Sequence, residues 1–562
     1  MAYIIDNTCV CCHYCRLECP VSAIDYVGVQ YQIAAEKCTG CGLCARLCPI
    51  SAISDNAAPV VQAKKHKIRV LNCDIAVLGA GGAGLVAAAR AADAGKKVVV
   101  LEAAKKTGGN TILAHGAMFA GSKIMESMGI DSSPDFRIRM LMQRSEWSLD
   151  LDKVKENVPQ TGEFFDWLCG LDSVKEVFSD AFKPVERQGR KMLDFPKRMY
   201  HNLKCRDQAI GPGWVGTFVV EHMLKKLEKQ GVPILTEHRA KRLIIDDTGR
   251  VNGVIAENAG GKTQINCKAV IVATGGFLRN DEMVARIYPD YFDENGKARY
   301  HKFSIPTNRG DGIKMVAKIG GKIDYDNAEI NVGGPAHHPF GYCAYRLMMD
   351  PQVVYINLNG RRWIDETAWL NDGRYYLVKQ PGCISYAVVD SQMMESIMQK
   401  LIANPPDGND GWILRDYRAE MESEIALGLP IKRADTLDDL AKKIGVAPSV
   451  FLSEINKYNA FCEKKHDDDF LKPPQHLTPI LKAPFYAVYG MGFSEGTWGG
   501  IVTDGDMRVI NTRGNIIPGL YAIGDGCNCH PRKSSISGSL TGGLGGAFAS
   551  GFKIGRLAAE AL

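Results

Sequence analysis

The clearest alternation of apolar and polar stretches in the chain lies between residues 73 and 102. Asp74 to Leu78 is a short apolar run of strand length. Gly79, Gly81 and Gly84 follow as G-x-G-x-x-G, and an alanine-rich stretch after them predicts a helix. A second apolar run, Lys97 to Leu101, ends in Glu102. Strand, glycine turn, helix and strand in this order predict the βαβ unit of a dinucleotide-binding fold. Further on, Val219 to Lys229 has amphipathic helical periodicity, and residues 125–230 are predicted to be largely helical. Residues 55–72 are polar and basic and predict a linker. No stretch of 18 uninterrupted apolar residues occurs, so no membrane span is predicted.

Composition narrows the class. The 562 residues leave room for three to four domains. With 68 Lys and Arg against 63 Asp and Glu, the formal charge is only +5, which excludes a chain built around nucleic-acid electrostatics. The N-terminus, Met-Ala-Tyr-Ile-Ile-Asp-Asn, lacks the basic region and apolar run of a secretory signal. The 18 cysteines are therefore expected as thiols or metal ligands in a reducing cytoplasm. Glycine is abundant at 58 residues, which fits several tight loops around a cofactor.

Nine of the cysteines fall before residue 50. Cys9, Cys12, Cys15 and Cys19 recur as Cys38, Cys41, Cys44 and Cys48, each offset by 29 residues, and the Pro-x-Ser-Ala-Ile after each set recurs with them. The spacing is C-x2-C-x2-C-x3-C-P, twice. Paired C-x2-C steps also bind zinc, but this cadence with both prolines is that of iron–sulfur ligation. The segment resembles a bacterial two-cluster ferredoxin, in which the fourth cysteine of each repeat serves the other cluster. The resemblance implies one 4Fe–4S cluster on Cys9, Cys12, Cys15 and Cys48, and a second on Cys38, Cys41, Cys44 and Cys19. Cys11 has no assigned place.

In the dinucleotide unit, the glycines let a pyrophosphate approach the helix N-terminus, and Glu102 is placed for a ribose hydroxyl. The nucleotide could be NAD or FAD, and three later segments decide for FAD. They are T-G-G-N-T-I-L-A-H-G-A-M at 107–118, A-V-I-V-A-T-G-G-F at 269–277 and G-L-Y-A-I-G-D-G at 519–526. From residue 72 onward the chain resembles the flavoprotein family of soluble fumarate reductases, urocanate reductases and 3-ketosteroid dehydrogenases. The resemblance implies an α/β architecture: a Rossmann-like FAD-binding domain, an inserted α+β cap domain, and the small α+β ferredoxin domain ahead of them. The expected boundaries are 1–65 for the ferredoxin part, 72–330 and 493–562 for the FAD-binding domain, and 331–492 for the cap.

The same resemblance implies FAD contacts at Gly79, Gly81, Gly82, Ala83, Gly84 and Glu102. It adds Gly109, Asn110, Thr111, Gly116, Ala240, Thr274, Gly275, Asp311, Gly524 and Asp525. The glycine-rich entry to the last helix adds Gly545 and Gly546, where backbone N–H groups could face charge developing on the flavin. Membrane-bound relatives carry a flavin-linking histidine in the G-G-N-T loop. This chain has Asn110-Thr111 there, so FAD is expected to be non-covalent, with His115 a packed loop residue.

The substrate site departs from the fumarate reductase pattern. The H-T-x-G-G histidine is replaced in Gly496-Thr497-Trp498-Gly499-Gly500, and no arginine lies between Arg532 and Arg556 to clamp a carboxylate. Glu366 is kept, but Ala368 to Asn371 stand where the proton-donating arginine should fall, with Arg374 out of register. A small dianion needs paired cationic donors, so fumarate is not expected. Pro484-Phe485-Tyr486-Ala487 ahead of the G-T-x-G-G segment resembles the ketosteroid branch, which makes Tyr486 the expected donor to a substrate ketone, with Tyr489 the alternative. His338, beside His337, and Arg374 are the other catalytic candidates.

The expected function is an ene-reductase. Electrons from the clusters reach FAD, which reduces the C=C bond of an activated alkene, an enone such as a 3-oxo steroid. The alternatives are an aryl-acrylate reductase, a ketosteroid-type dehydrogenase running oxidatively, and an electron-transfer subunit. The electron donor is expected to be a ferredoxin, a flavoprotein or an NAD(P)H-oxidising partner. No nucleic-acid partner is expected.

Overall fold

The computed structural model describes residues 3–10, 14–27, 30–55, 68–114, 117, 119–144, 147, 151–177, 183–187, 190–194, 215–333, 344, 347–367, 376–403, 417–426, 431–528 and 543–562. Cys12, Gly116, His337, His338, Arg374 and Arg532 of the sequence reading lie outside these residues.

The cysteine duplication is also a structural one. Strand β1 (Tyr3–Ile5), helix α1 (Tyr14–Leu17) and strand β2 (Ile24–Val27) are followed by β3 (Gln30–Ile33), α2 (Leu43–Leu47) and β4 (Ile53–Asp55) in the same order. The repeats interlock, because β1 pairs antiparallel with β4 and β2 with β3. Each repeat makes the same sulfur contact: Ala23 N–H donates to Cys19 Sγ at 3.3 Å, and Ala52 N–H to Cys48 Sγ at 3.2 Å.

The dinucleotide unit forms as its apolar runs predict. Strand β5 (Ile75–Leu78), helix α3 (Gly82–Asp93) and strand β6 (Val98–Leu101) are followed by β7 (Ile234–Leu235), β8 (Ala269–Val272), β9 (Arg508–Ile510) and β10 (Ile516–Ala522). They build one sheet in the order β7-β6-β5-β8-β10-β9, parallel except at β9. Every residue of β5, β6 and β8 is buried, as strands covered on both faces must be. Two helices cover α3: α4 (Val215–Lys229) and the last helix, α5 (Gly543–Glu560). The approach of α5 is close enough to demand glycine. A Cβ on Gly551 would lie 2.3 Å from the Ala83 carbonyl oxygen, and one on Gly555 would lie 2.4 Å from that of Ala87.

Two expectations need correction. The predicted linker does not run to residue 72: Arg69–Asn72 is a strand, pairing in parallel with Thr263–Asn266 at the edge of a second sheet. Its polar, exposed character is that of an edge strand, and Asn266 Nδ2 bonds Asn72 Oδ1 at 3.0 Å. The stretch 125–230 is helical in most described parts, but Lys183–Arg187 and Arg190–Asp194 form an antiparallel hairpin.

Between the flavin segments, Val354–Asn357, Ile384–Val389, Ile431–Ala434 and Phe485–Met491 form a separate antiparallel sheet with helices against it. Its core holds a buried knot of charge. Arg362 bonds both Glu366 (3.0 Å) and Asp467 (2.9 Å), Lys472 bonds Glu366 at 3.1 Å, and all four side chains are at most 1% exposed. The guanidinium also lies over the Tyr458 ring. Glu366, kept from the family's motif, is therefore a buried counter-ion. Among the described residues, no helix is long and apolar enough to cross a membrane.

Arg362→Met would leave Asp467 buried without its cation, and is expected to cost about 3–5 kcal/mol, read by chemical denaturation. A second expectation concerns acid. His222 of α4 accepts from or donates to Ser173 Oγ at 2.8 Å, and burial, helped by Lys225, holds its imidazole down from 6.5 to about 4. The folded chain then binds fewer protons than the unfolded chain in that window. His222 should therefore contribute stability above pH 6.5 that is lost as pH falls toward 4, and His222→Gln should flatten that part of a Tm–pH curve.

Candidate active site

A cleft of about 460 Å³ opens at the C-terminal ends of β5, β6 and β8, where the crossover direction of the sheet reverses. Gly79 leaves β5 with φ +109°, a conformation that favours glycine, and a Cβ there would meet the Ala273 carbonyl oxygen at 2.3 Å. An added Cβ on Gly81 would meet nothing nearer than 3.9 Å, so this backbone stays open to an approaching group at the start of α3. Gly82 and Ala83 line the same edge. Gly84 does not; it packs against the Gly79 carbonyl oxygen, 2.0 Å from where its Cβ would stand.

Glu102 closes the cleft at the end of β6. Its carboxylate accepts from Ala80 N–H at 2.9 Å and Ala104 N–H at 2.7 Å. Burial raises its pKa, and these N–H groups work against the rise. Ala240 and His238 lie nearby, the latter held between the Thr236 carbonyl oxygen and Asn258. Asp311 faces the cleft and pairs with Arg239 at 3.3 Å. Thr274 accepts from Gly312 N–H at 3.2 Å and Gly275 lies beside it.

The other end is shaped by Gly109, Asn110 and Thr111. Asn110 Oδ1 accepts from the Ser304 hydroxyl (3.0 Å) and Ile305 N–H (2.9 Å), while its Nδ2 donates to the Glu495 carbonyl oxygen at 3.2 Å. Thr111 Oγ1 accepts from Gly82 N–H at 2.9 Å. Gly524 and Asp525 complete the floor. Burial raises the Asp525 carboxyl to about 6, against the pull of a hydrogen bond from the Trp498 indole. From α5 the lining residues are Gly543, Leu544 and Ala547, not the expected Gly545 and Gly546. One helical face spaced by three and four residues meets the cleft, and those two glycines lie off it.

Tyr486 is not in the cleft lining. It sits in the separate antiparallel sheet, opposite Val389 on one side and Arg433 on the other. Tyr489 packs edge-on against Tyr386 in that sheet, 5.7 Å between ring centres. The sequence reading did not single out Arg137, a buried cation on the cleft wall, or Phe303. Nothing in their local pattern marks them, since both reach the site by tertiary packing.

Several of the described cysteines lie near one another. Burial pushes the Cys44 thiol up to about 11, and Cys38, Cys41 and Cys19 beside it push the same way. Cys48 is likewise raised, by burial first, with Cys9 as its thiol neighbour. Cys15 is buried, and the partly buried Cys9 packs against the same core. Among the described residues no three Cys, His, Asp or Glu side chains converge on a single metal ion.

Two cations of the flavin part hold this segment. Lys106 Nζ donates to the Cys48 carbonyl oxygen at 2.6 Å and to that of Arg46 at 2.9 Å. Arg279 donates to the carbonyl oxygens of Thr8 (3.0 Å), Lys302 (2.9 Å) and Ser304 (2.8 Å).

Known proteins are similar to this chain. The FAD binding domain family matches residues 74–531, and the 4Fe-4S binding domain family matches residues 31–54. A vinyl phenol reductase of Lactiplantibacillus plantarum is 26% identical over 516 residues, 87% of this chain and 96% of its own. A fumarate reductase (cytochrome) of Shewanella frigidimarina is 25% identical over 498 residues, 87% and 76% of the two chains. Among solved structures, the open conformation of a flavocytochrome c3 fumarate reductase has a TM-score of 0.65 at 21% identity, over 87% of this chain and 78% of the other, which is a likeness of fold.

The open backbone at Gly81, the carboxylate of Glu102 and the size of the cleft fit a flavin nucleotide. Glu102→Gln would turn one acceptor into a donor facing an N–H group. It is expected to weaken FAD retention about tenfold or more, read by flavin titration of the stripped protein. An unchanged affinity would remove Glu102 from the nucleotide site.

Proposed function

The chain belongs to the FAD binding domain family, and on that premise we propose that it reduces the C=C bond of an activated alkene with electrons drawn through two 4Fe–4S clusters. When bound, FAD supplies the electron pair to the alkene and the clusters replenish it one electron at a time. The chain's own residues bind and orient. The turn at Gly79 to Ala83 and Glu102 hold the nucleotide half, and Asn110, locked by three hydrogen bonds, fixes the loop at the other end. With its side chain so occupied, and Thr111 committed to Gly82, this loop supports non-covalent FAD.

The observation that carries the substrate class is the departure from the dicarboxylate pattern: Gly496 stands in place of the H-T-x-G-G histidine, and no arginine lies between Arg532 and Arg556. The acidic groups of the cleft, Glu102, Asp311 and Asp525, belong to the proposed nucleotide site. Phe303, Trp498 and Leu544 add an apolar wall. A dicarboxylate dianion needs paired cationic donors that these motif positions do not supply, whereas a neutral or singly charged alkene on an aromatic or cyclic body does not need them. The similarity to a vinyl phenol reductase supports an aryl alkene. The 3-oxo-steroid variant of this reading rests on Tyr486, which stands in the separate sheet.

That separate sheet and its helices, within residues 331–492, are proposed as a cap over the site. Supporting this, the long strands Ile323–Gly333 and Phe493–Val502, which flank it in sequence, pair with each other and tie its two ends to the flavin part. The ferredoxin part is proposed as residues 1–65, and the FAD-binding part as 72–330 with 493–562. The proton donor is proposed among His338 and Arg374 of the same segment. Reduction is favoured over dehydrogenation because the cysteine-rich segment is docked on the flavin part, and such clusters commonly carry low-potential electrons.

The test is an anaerobic assay with reduced methyl viologen over fumarate, an aryl acrylate, a vinyl phenol and a cyclic enone. Turnover of the aryl alkenes or the enone, with little of fumarate, is expected. Turnover confined to fumarate would refute the substrate class.

A further inference from the structure

We infer that the cluster on Cys9, Cys12, Cys15 and Cys48 is the one that exchanges electrons with the flavin, and that Lys106 and Arg279 position it and raise its reduction potential. The other cluster, on Cys19, Cys38, Cys41 and Cys44, is then the entry point for electrons from a one-electron donor. The inference rests on the two-cluster reading and adds a direction to it.

The contacts between the two parts of the chain are asymmetric. Lys106 reaches the carbonyl oxygen of Cys48 itself, and Arg279 reaches that of Thr8, the residue before Cys9. Cys48 and Cys9 belong to different repeats but, by the crossing, to the same cluster. Burial follows the same direction. Cys15 and Cys48 are buried within the apolar core that also contains Ala83, Ile112 and Leu113 of the flavin part. Cys41, of the other set, is exposed.

The two clamps also continue to the cleft. Arg279 bonds the Ser304 carbonyl oxygen, and the Ser304 hydroxyl bonds Asn110 in the cleft wall. Lys106 lies three residues before Gly109, in the loop that forms that wall. Two fixed positive charges beside one cluster favour its more negative, reduced form, and the effect is strong where burial weakens screening. A cluster at higher potential between the outer cluster and the flavin makes transfer toward the flavin downhill in its first step. Two such one-electron transfers, each oxidising one donor molecule, deliver the pair of electrons that one C=C reduction consumes with two protons.

The test is a potentiometric titration of the holoenzyme followed by electron paramagnetic resonance. Cys41→Ser, at the exposed thiol, marks the outer cluster by altering its signal. Lys106→Met and Arg279→Met leave every cluster ligand in place. Each is expected to lower the midpoint potential of the unmarked cluster and leave the marked one unchanged. Lys106→Arg keeps the charge and should keep the potential, which separates an electrostatic role from a loss of docking. A shift in the marked cluster, or no shift in either, would overturn the inference. Iron and sulfide analysis tests the underlying reading separately: about eight irons per chain are expected, and about four would refute the two-cluster reading itself.

Discussion

Close backbone approach is the constraint on which the rest of this structure depends. The carbonyl oxygens of Gly79, Ala83 and Ala87 each occupy the space that a side chain on Gly84, Gly551 or Gly555 would need. The first contact sets how tightly α3 leaves β5, and so where the helix N-terminus points. The other two press α5 onto α3 and bring Gly543, Leu544 and Ala547 to the cleft. The nucleotide site is thus assembled from segments more than four hundred residues apart in sequence by contacts in which backbone meets backbone. Apolar burial drives the packing, but the missing Cβ atoms decide its depth.

On this frame the cysteine-rich segment is docked rather than merely attached. Its apolar residues share a core with α3 and the loop after it. Among the described residues, Lys106 and Arg279 reach its main-chain oxygens, contacts that depend on backbone position and not on a side chain of the segment. Arg279 also holds the carbonyl oxygens of Lys302 and Ser304, so one guanidinium joins the docked segment, the wall of the cleft and the strand at His301–Lys302.

Much of this was legible in the sequence where the signal is local. The βαβ unit is read from residues 74–102 because strand, turn, helix and acid follow one another within a single supersecondary motif. The doubled cysteine motif is read from a 29-residue repeat, and its crossed grouping of Cys19 with Cys38, Cys41 and Cys44 is what the ferredoxin resemblance implies. Other features need partners far along the chain. Arg69–Asn72 reads as a linker because the strand it pairs with begins near residue 261. Tyr486 reads as a site residue from a short motif, but strand pairing with Val389 and Arg433 decides where it stands. Glu366 was visible as a motif residue, yet its role depends on Arg362, Lys472 and Asp467, which only the fold brings together. The phase of α5 is not set by its sequence, since a glycine-rich run gives no apolar stripe; the cleft lining takes Gly543, Leu544 and Ala547 from it.

The edge strand at Arg69–Asn72 has a consequence for the docked segment. Because this strand anchors the chain to the flavin part, the short connection back to Asp55 keeps the segment near its docking face even when the clamps open. Docking is then an intramolecular event at an effective concentration in the millimolar range, as for two modules on a short linker. Contacts too weak to hold a free ferredoxin of the same sequence would suffice here. Excising the segment as a separate chain would therefore lose the docked state by dilution alone, without any change to Lys106, Arg279 or the surfaces they join.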